Sequence, residues 1–368
     1  MKIRAFITHK KAEHFRDCQD RFCINSETKS VAVSDGMSQS WHQKIWAQML
    51  VEKFCSNREW VPNLESVREL SPIWRSEVEK FIQNLKDSNA KENLIYRNEK
   101  NLAEGRSAGA TLVGTRFEGN RWSCEVLGDS CLITLASNRY EFITSQDTEK
   151  FDNHPDFYDS DSRKQGRGIL KSYEGELSNS NPLIIMVSDP FSDFLLEHNK
   201  KGDLDSYIIE LSKISNHDEF ECLVEDWRKL GMHNDDTTLI IMEYDEKEDW
   251  NILYQDNLED LIKKEETPIL TQVTEILAEE DAENIVLSGQ EEGDEQPNNK
   301  VSEKEFCDSF LKVALSKYRG LSIFKKIKGY FNEKKFIEIN MEIAKVIYSQ
   351  YDIYIRKDNY GFTYNSRI

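Results

Sequence analysis

Five apolar residues in unbroken succession, Leu183-Ile184-Ile185-Met186-Val187, run straight into Ser188-Asp189. A run this short and β-branched, bounded by turn formers, reads as a strand buried on at least one face. Ser30–Ser34, Ala110–Phe117, Trp122–Leu127, Cys131–Ala136 and Thr237–Tyr244 share its character. Between the first two of these, Trp46, Met49, Leu50 and Phe54 recur at helical spacing, as do Val67, Leu70, Trp74, Val78 and Phe81. Further helices are expected over Leu204–Ile214 and Asp218–Leu230. Strands clustered in sequence with helices inserted between them predict an α+β layered domain, not an alternating β-α-β fold.

Charge divides the 368 residues into three parts. Residues 1–249 carry net −13, residues 250–300 net −11 and residues 301–368 net +5, together −19. A surface that acidic repels nucleic-acid phosphates and anionic lipid, which argues against both as partners of the whole chain. Residues 288–299 have no periodic apolar signal and read as a disordered acidic linker. The expected organisation is a domain over 1–249, an acidic segment and linker over 250–300, and a small basic module over 301–368. That module opens on the capping box Ser302-Glu303-Lys304-Glu305, has a second helix over Glu333–Tyr348 and ends in a hairpin around Lys357-Asp358-Asn359. Its basic, aromatic-containing stretch, Lys317 to Lys335, reads as a solvated helix face or a partner for the acidic linker, against the alternative of a nucleic-acid or phosphopeptide docking patch. No apolar run approaches the ~20 residues needed to span a bilayer. Seven cysteines without a C-x-x-C pair predict neither a disulfide framework nor a zinc cage, and suggest a reducing, cytoplasmic compartment.

The chemistry-bearing pattern is a set of aspartates at strand ends. Asp35-Gly36 follows Val31-Ala32-Val33-Ser34, and Asp189 follows the run at 183–187. Asp235 and Asp236 precede Thr237-Thr238-Leu239-Ile240, Asp129 sits in Gly128-Asp129-Ser130, and Asp20 precedes Arg21-Phe22-Cys23-Ile24. One such residue is an ordinary turn aspartate. Several at adjacent strand ends would repel one another and take up protons unless a hard divalent cation neutralised them. Mg²⁺ or Mn²⁺ suits carboxylate and carbonyl oxygens, and Gly36 would let its carbonyl approach an ion closely. Two such ions sharing a carboxylate would hold a hydroxide as nucleophile and clamp a phosphoryl oxygen.

The ordered set Gln19-Asp20, Asp35-Gly36, Ala108-Gly109-Ala110-Thr111-Leu112, Gly128-Asp129-Ser130, Ser188-Asp189 and Asp235-Asp236-Thr237-Thr238 resembles the metal-dependent serine/threonine protein phosphatases of type 2C, as a divergent, bacterial-like member, over about residues 1–245. The resemblance implies a four-layer α-β-β-α sandwich of two antiparallel sheets flanked by helices, with a dinuclear metal site at one end. It implies that Asp35 bridges two Mg or Mn ions, that Gly36 gives its carbonyl to one of them, and that Asp189 and Asp235 ligate the other. Asp20 would hold metal-bound water, and Asp129 would contribute with Asp189 to a weaker third site. Tyr140–Asn181 would correspond to a variable flap. Phe15 stands where the family often has a phosphate-binding arginine, so Arg16, His14 or His9 would have to serve. His14 or His9 is the candidate proton donor to the leaving alcohol, with metal-bound water as the other source. The implied substrate is a phosphoprotein, the product of a cognate serine/threonine kinase. A rival reading is a pseudophosphatase, a binding or regulatory protein with a degenerate site, favoured by Phe15 and by Pro190 after Asp189.

Overall fold

A computed structural model of the chain describes residues 1–266, apart from 137–138, 147, 149–155, 165, 179–181 and 248, and two strands near the C-terminus. It has two compact units, Met1–Glu266 and Thr267–Ile368. In the first unit the chain runs through β1 (Lys2–Thr8), a 3-10 turn (Phe15–Asp17), β2 (Arg21–Asn25), β3 (Ser30–Ser34), α1 (Gln43–Ser56), α2 (Leu64–Arg68), α3 (Ser71–Asp87) and α4 (Glu92–Ala103). There follow β4 (Gly109–Ala110), β5 (Leu112–Glu118), β6 (Arg121–Leu127), β7 (Cys131–Ala136), β8 (Arg139–Ile143), β9 (Tyr158–Asp159), β10 (Lys171–Glu176) and β11 (Leu183–Val187). The unit closes with α5 (Asp189–Lys201), α6 (Leu204–Lys213), α7 (His217–Lys229), β12 (Thr237–Glu243), β13 (Asn251–Gln255) and α8 (Leu258–Glu266).

Two sheets carry the fold. One has the order β13-β1-β12-β11-β7-β8 and the other β10-β6-β5-β3-β2. Every pairing within them is antiparallel except that of β13 with β1. The period of two along each strand sorts side chains into three cores. Ile3, Val31, Val33, Val113, Ile184, Met186 and Ile240 meet between the sheets. Ile185, Val187, Leu239 and Ile241 point outward under Phe191, Leu195, Phe220 and Trp227 of α5 and α7. Ala32 and Leu112 face Trp46, Leu50 and Phe54 of α1, with Trp74 and Val78 of α3 beyond. Strands covered on both faces have no polar side, which is why β11 and β12 read as unbroken apolar runs. The result is the four-layer α-β-β-α sandwich. Gly114 in β5 serves this packing, since a Cβ there would lie 2.5 Å from Phe54 Cζ.

Several elements depart from expectation for local reasons. Asp189 does not simply end a strand: it opens α5, with Pro190 in the first helical turn. A proline costs little there, because the first amides of a helix have no intrahelical partner, so Pro190 gives no support to a degenerate site. β10 lies within the expected flap but pairs with β6 along the edge of the five-stranded sheet. The first unit extends past the boundary expected at 249, because β13 adds to β1 and α8 follows it. Of the expected C-terminal module, the hairpin is found as β14 (Tyr351–Ile355) antiparallel to β15 (Phe362–Ser366). The linker at 288–299, both expected helices and the basic stretch lie outside the described residues. Among the described residues no helix is long and apolar enough to cross a membrane.

Candidate active site

Register decides where the aspartates meet. In the six-stranded sheet, Thr8 at the end of β1 lies opposite Thr237 at the start of β12, and Val187 at the end of β11 pairs with both Leu239 and Cys131. Asp235 and Asp236 before β12, Asp189 after β11 and Asp129 before β7 therefore share one end of that sheet. In the five-stranded sheet Arg21 at the start of β2 pairs with Ser34 at the end of β3, which puts Asp20 beside Asp35. The two ends are joined directly, because Thr238 Oγ1 donates to Asp20 Oδ2 at 2.8 Å. Asp35 is held by its backbone: its N–H donates to Thr111 Oγ1 (3.0 Å) and its carbonyl accepts from Thr111 N (2.9 Å). Gly36 packs so closely that a Cβ would sit 2.9 Å from Gln43 Cγ and 3.0 Å from the Gln19 carbonyl.

These carboxyl groups sense one another. Burial, then the charges of Asp129 and Asp235, push Asp35 up to about 8, against a hydrogen bond from Asp20 that holds it down. Burial and the Asp35 charge lift both Asp20 and Asp189 well above the carboxylate range. Asp129 is pushed up to about 7 by burial, its backbone hydrogen bonds opposing and Asp193 and Asp20 reinforcing. Burial also raises Asp236, although the amides of Gln19 and Lys10 stabilise its charge. Each group would rather be neutral than carry an uncompensated charge here.

Lys10 brings a cation into the cluster. Its Nζ lies 2.8 Å from Asp235 Oδ1 and 2.9 Å from Ser38 Oγ. Burial opposes its charge, yet Asp235 and Asp236 keep its pKa raised. Its amide donates to Asp236 Oδ1 (2.9 Å), and the Gln19 amide donates to Asp236 Oδ2 (2.7 Å). Asp236 thus pins both ends of the loop between β1 and β2. Arg228 of α7 fixes the other side, donating through Nη2 to the carbonyls of His9 (3.1 Å) and Asp235 (2.7 Å).

Of the residues expected at the site, Asp20, Asp35, Gly36, Asp129, Asp189 and Asp235 lie at this end of the sandwich. His14 and Arg16 engage elsewhere: His14 Nδ1 pairs with Glu265 Oε1 at 2.8 Å, and Arg16 Nε lies 4.0 Å from Asp17. Phe15 is buried with Ile7, Cys18 and Leu261, as a core residue. Lys10, Arg228 and Asp193 were not anticipated. The spacing from Asp189 to Asp193, one helical turn, was the available signal for the last.

The donor set fits hard divalent cations. Asp20 Oδ1 and Asp129 Oδ1 are buried without a hydrogen-bond partner, and every group that repels its neighbours here offers oxygen. Among the described residues no three His, Cys, Asp or Glu side chains are already drawn together as an ion-binding group.

Solved structures of bacterial proteins resemble the chain at low identity. The serine/threonine phosphatase Stp1 from Staphylococcus aureus is 14% identical with TM-score 0.41, over 66% of this chain and 94% of that one. The serine/threonine phosphatase PstP/Ppp of Mycobacterium tuberculosis is 14% identical with TM-score 0.41, over 66% and 98%. PppA, a regulatory component of T6SS in Pseudomonas aeruginosa, is 17% identical with TM-score 0.41, over 66% and 97%. No curated protein matches the sequence. The family described as protein phosphatase 2C matches residues 10–227, more than half of the chain and every strand end that carries an aspartate of the cluster except those at Asp235 and Asp236. The chain belongs to the protein phosphatase 2C family.

Proposed function

We propose that the chain hydrolyses phosphoserine and phosphothreonine on proteins, using two divalent cations, Mg or Mn. Asp35 and the Gly36 carbonyl would hold one ion, and Asp189 and Asp235 the other with Asp35 shared between them. Asp129 and Asp189 offer a weaker third position. The ions would supply an acidified water and positive charge for the phosphoryl oxygens. The observation that carries this reading is the convergence of six strand-end aspartates, of which Asp20, Asp35, Asp129, Asp189 and Asp236 have their proton affinity raised by burial and then by neighbouring carboxylates.

The chain's own groups then have defined parts. The unpartnered Oδ1 of Asp20 orients the attacking water, with Thr238 fixing the other oxygen. Lys10 brings positive charge to the substrate phosphate, in place of a basic residue at Phe15. Arg228 and Asp236 set the backbone that presents Asp235 and Lys10. His14 and Arg16, engaged with Glu265 and Asp17, take no part. The test is Mn²⁺-dependent turnover of para-nitrophenyl phosphate or a phosphopeptide, against Asp35→Asn and Asp189→Asn. Loss in both variants supports the reading, and equal rates in all three refute it.

The Lys10–Asp235 pair, in which a lysine already compensates a proposed metal ligand, favours a second reading, a pseudophosphatase acting as a binding or regulatory protein. Calorimetric titration with Mn²⁺ separates the two, since the binding protein should take up little or no metal.

A further inference from the structure

The loop from His9 to Gln19 leads directly into Asp20, and its amides are not held by their own neighbourhood alone. Asp236 takes the amides of Lys10 and Gln19 at its two ends, and Asn234 Oδ1 takes that of Lys11 at 2.8 Å. The middle is held by one side chain from outside the family-matched residues. Glu265 in the last turn of α8 accepts the Phe15 amide on Oε2 (2.8 Å) and pairs with His14 Nδ1 through Oε1 (2.8 Å). Beneath this clasp Phe15 packs with Ile7, Cys18 and Leu261, Leu258 and Ile262 adding to the apolar contact.

The helix that delivers Glu265 is itself anchored. β13 pairs with β1, and Asp256 after it accepts the Ile7 amide (2.9 Å) and lies 2.9 Å from His217 Nδ1. Its other carboxylate oxygen accepts the Tyr254 hydroxyl at 2.9 Å. A bidentate carboxylate on so rigid a base is an unusual investment for a surface loop. It costs the side-chain freedom of an otherwise solvated glutamate. The segment it holds reaches the fully buried Asp20 five residues after Phe15.

We infer that Glu265 is a positioning residue: by clasping His14 and the Phe15 amide it sets the 14–20 segment, and with it Asp20, in register with Asp236. The inference rests on the proposed hydrolysis for its catalytic consequence, and on the hydrogen bonds alone for its structural one. Small displacements of a group that orients a reactant are costly in rate even when binding is intact.

The experiment compares the full-length chain with Glu265→Ala, Glu265→Gln and, as a same-helix control, Glu259→Gln. Three quantities are read: amide hydrogen exchange at Phe15 and Gln19, kcat and KM for para-nitrophenyl phosphate at saturating Mn²⁺, and melting temperature. In Glu265→Ala exchange should quicken at both amides, and kcat should fall about tenfold with KM within about twofold. Glu265→Gln keeps an acceptor for Phe15 N–H and should recover most of kcat, while Glu259→Gln should match wild type. Unchanged exchange at Gln19 with unchanged kcat in Glu265→Ala overturns the inference. So does a lowered melting temperature with kcat per folded molecule intact. A wild type without turnover would sink the hydrolytic reading, and exchange at Gln19 would still decide the role of Glu265.

Discussion

Two of the places where the molecule buries charge treat it in opposite ways. On the outer face of the five-stranded sheet, Arg116 lies 3.1 Å from Glu125 Oε2 and stacks 3.7 Å from the Phe54 ring centroid. Its Nη2 also donates to the Trp60 carbonyl at 2.7 Å. At the strand ends, six aspartates outnumber the cations near them, Lys10 paired with Asp235 and Arg21 sensing the charges of Asp20 and Asp236, and two of the buried carboxylate oxygens have no partner. A buried charge with its counter-charge in place and most of its donors used, as here where Arg116 Nε lacks an acceptor but Nη1 and Nη2 have theirs, holds structure together. A cluster of like charges left short of partners is a cost that a fold carries only where a ligand offsets it.

The largest effect should fall on rate at the aspartate end. Asp35→Asn or Asp189→Asn should lower Mn²⁺-dependent turnover by about a hundredfold or more. Thermal melting of the same variants without cations should be unchanged or higher, because folding no longer has to take up a proton at that position. A drop in melting temperature would mean that these aspartates are structural, like Arg116. The converse holds for Arg116→Ala, which strands Glu125 and should cost about 3 kcal/mol or more in urea unfolding. Its kcat per folded molecule should stay at the wild-type level.

A pH series sharpens the contrast. Asp35 moves from an ordinary value of 3.8 to about 8, so the folded chain keeps a proton that the unfolded chain has released. The unfolded state then binds fewer protons, and stability must fall as pH rises between those values. His217 acts in the same direction at higher pH. Burial opposes its charge, but hydrogen bonds to Asp256 and Glu221 lift it from 6.5 to about 9, and the stability it lends is lost as pH climbs through that interval. Melting of the cation-free protein should therefore fall from pH 5 to pH 8, and Mn²⁺ should restore most of the loss at pH 8. His217→Gln removes only the cation-independent part. The smallest effect is expected from Lys10→Gln, a few-fold rise in KM with melting nearly unchanged.

Much of this was legible in sequence where burial was two-sided. β3 and β11 fall where their apolar runs predict, because neighbouring sheets and helices leave no polar face to blur the pattern. β10 could not be read: five of its six residues, Lys-Ser-Tyr-Glu-Gly-Glu, are exposed along a sheet edge. α5 was hidden by Asp189-Pro190, which ends a strand as plausibly as it begins a helix. The aspartates announced themselves by sitting at strand ends. Lys10 and Arg228 did not, since their roles depend on a loop brought back to β12 and on a helix more than two hundred residues from β1. Glu265 belongs to the same class, a charge in an acidic stretch until α8 folds against the 3-10 turn.

The central claim is that the uncompensated aspartates are a site for a pair of dications. Isothermal titration of the wild type and Asp35→Asn with Mn²⁺ at pH 7 measures it most directly. Two ions per chain in the wild type, with protons released on binding and at least one ion lost in the variant, is the predicted result. No uptake by the wild type, or the same isotherm for both proteins, would contradict it.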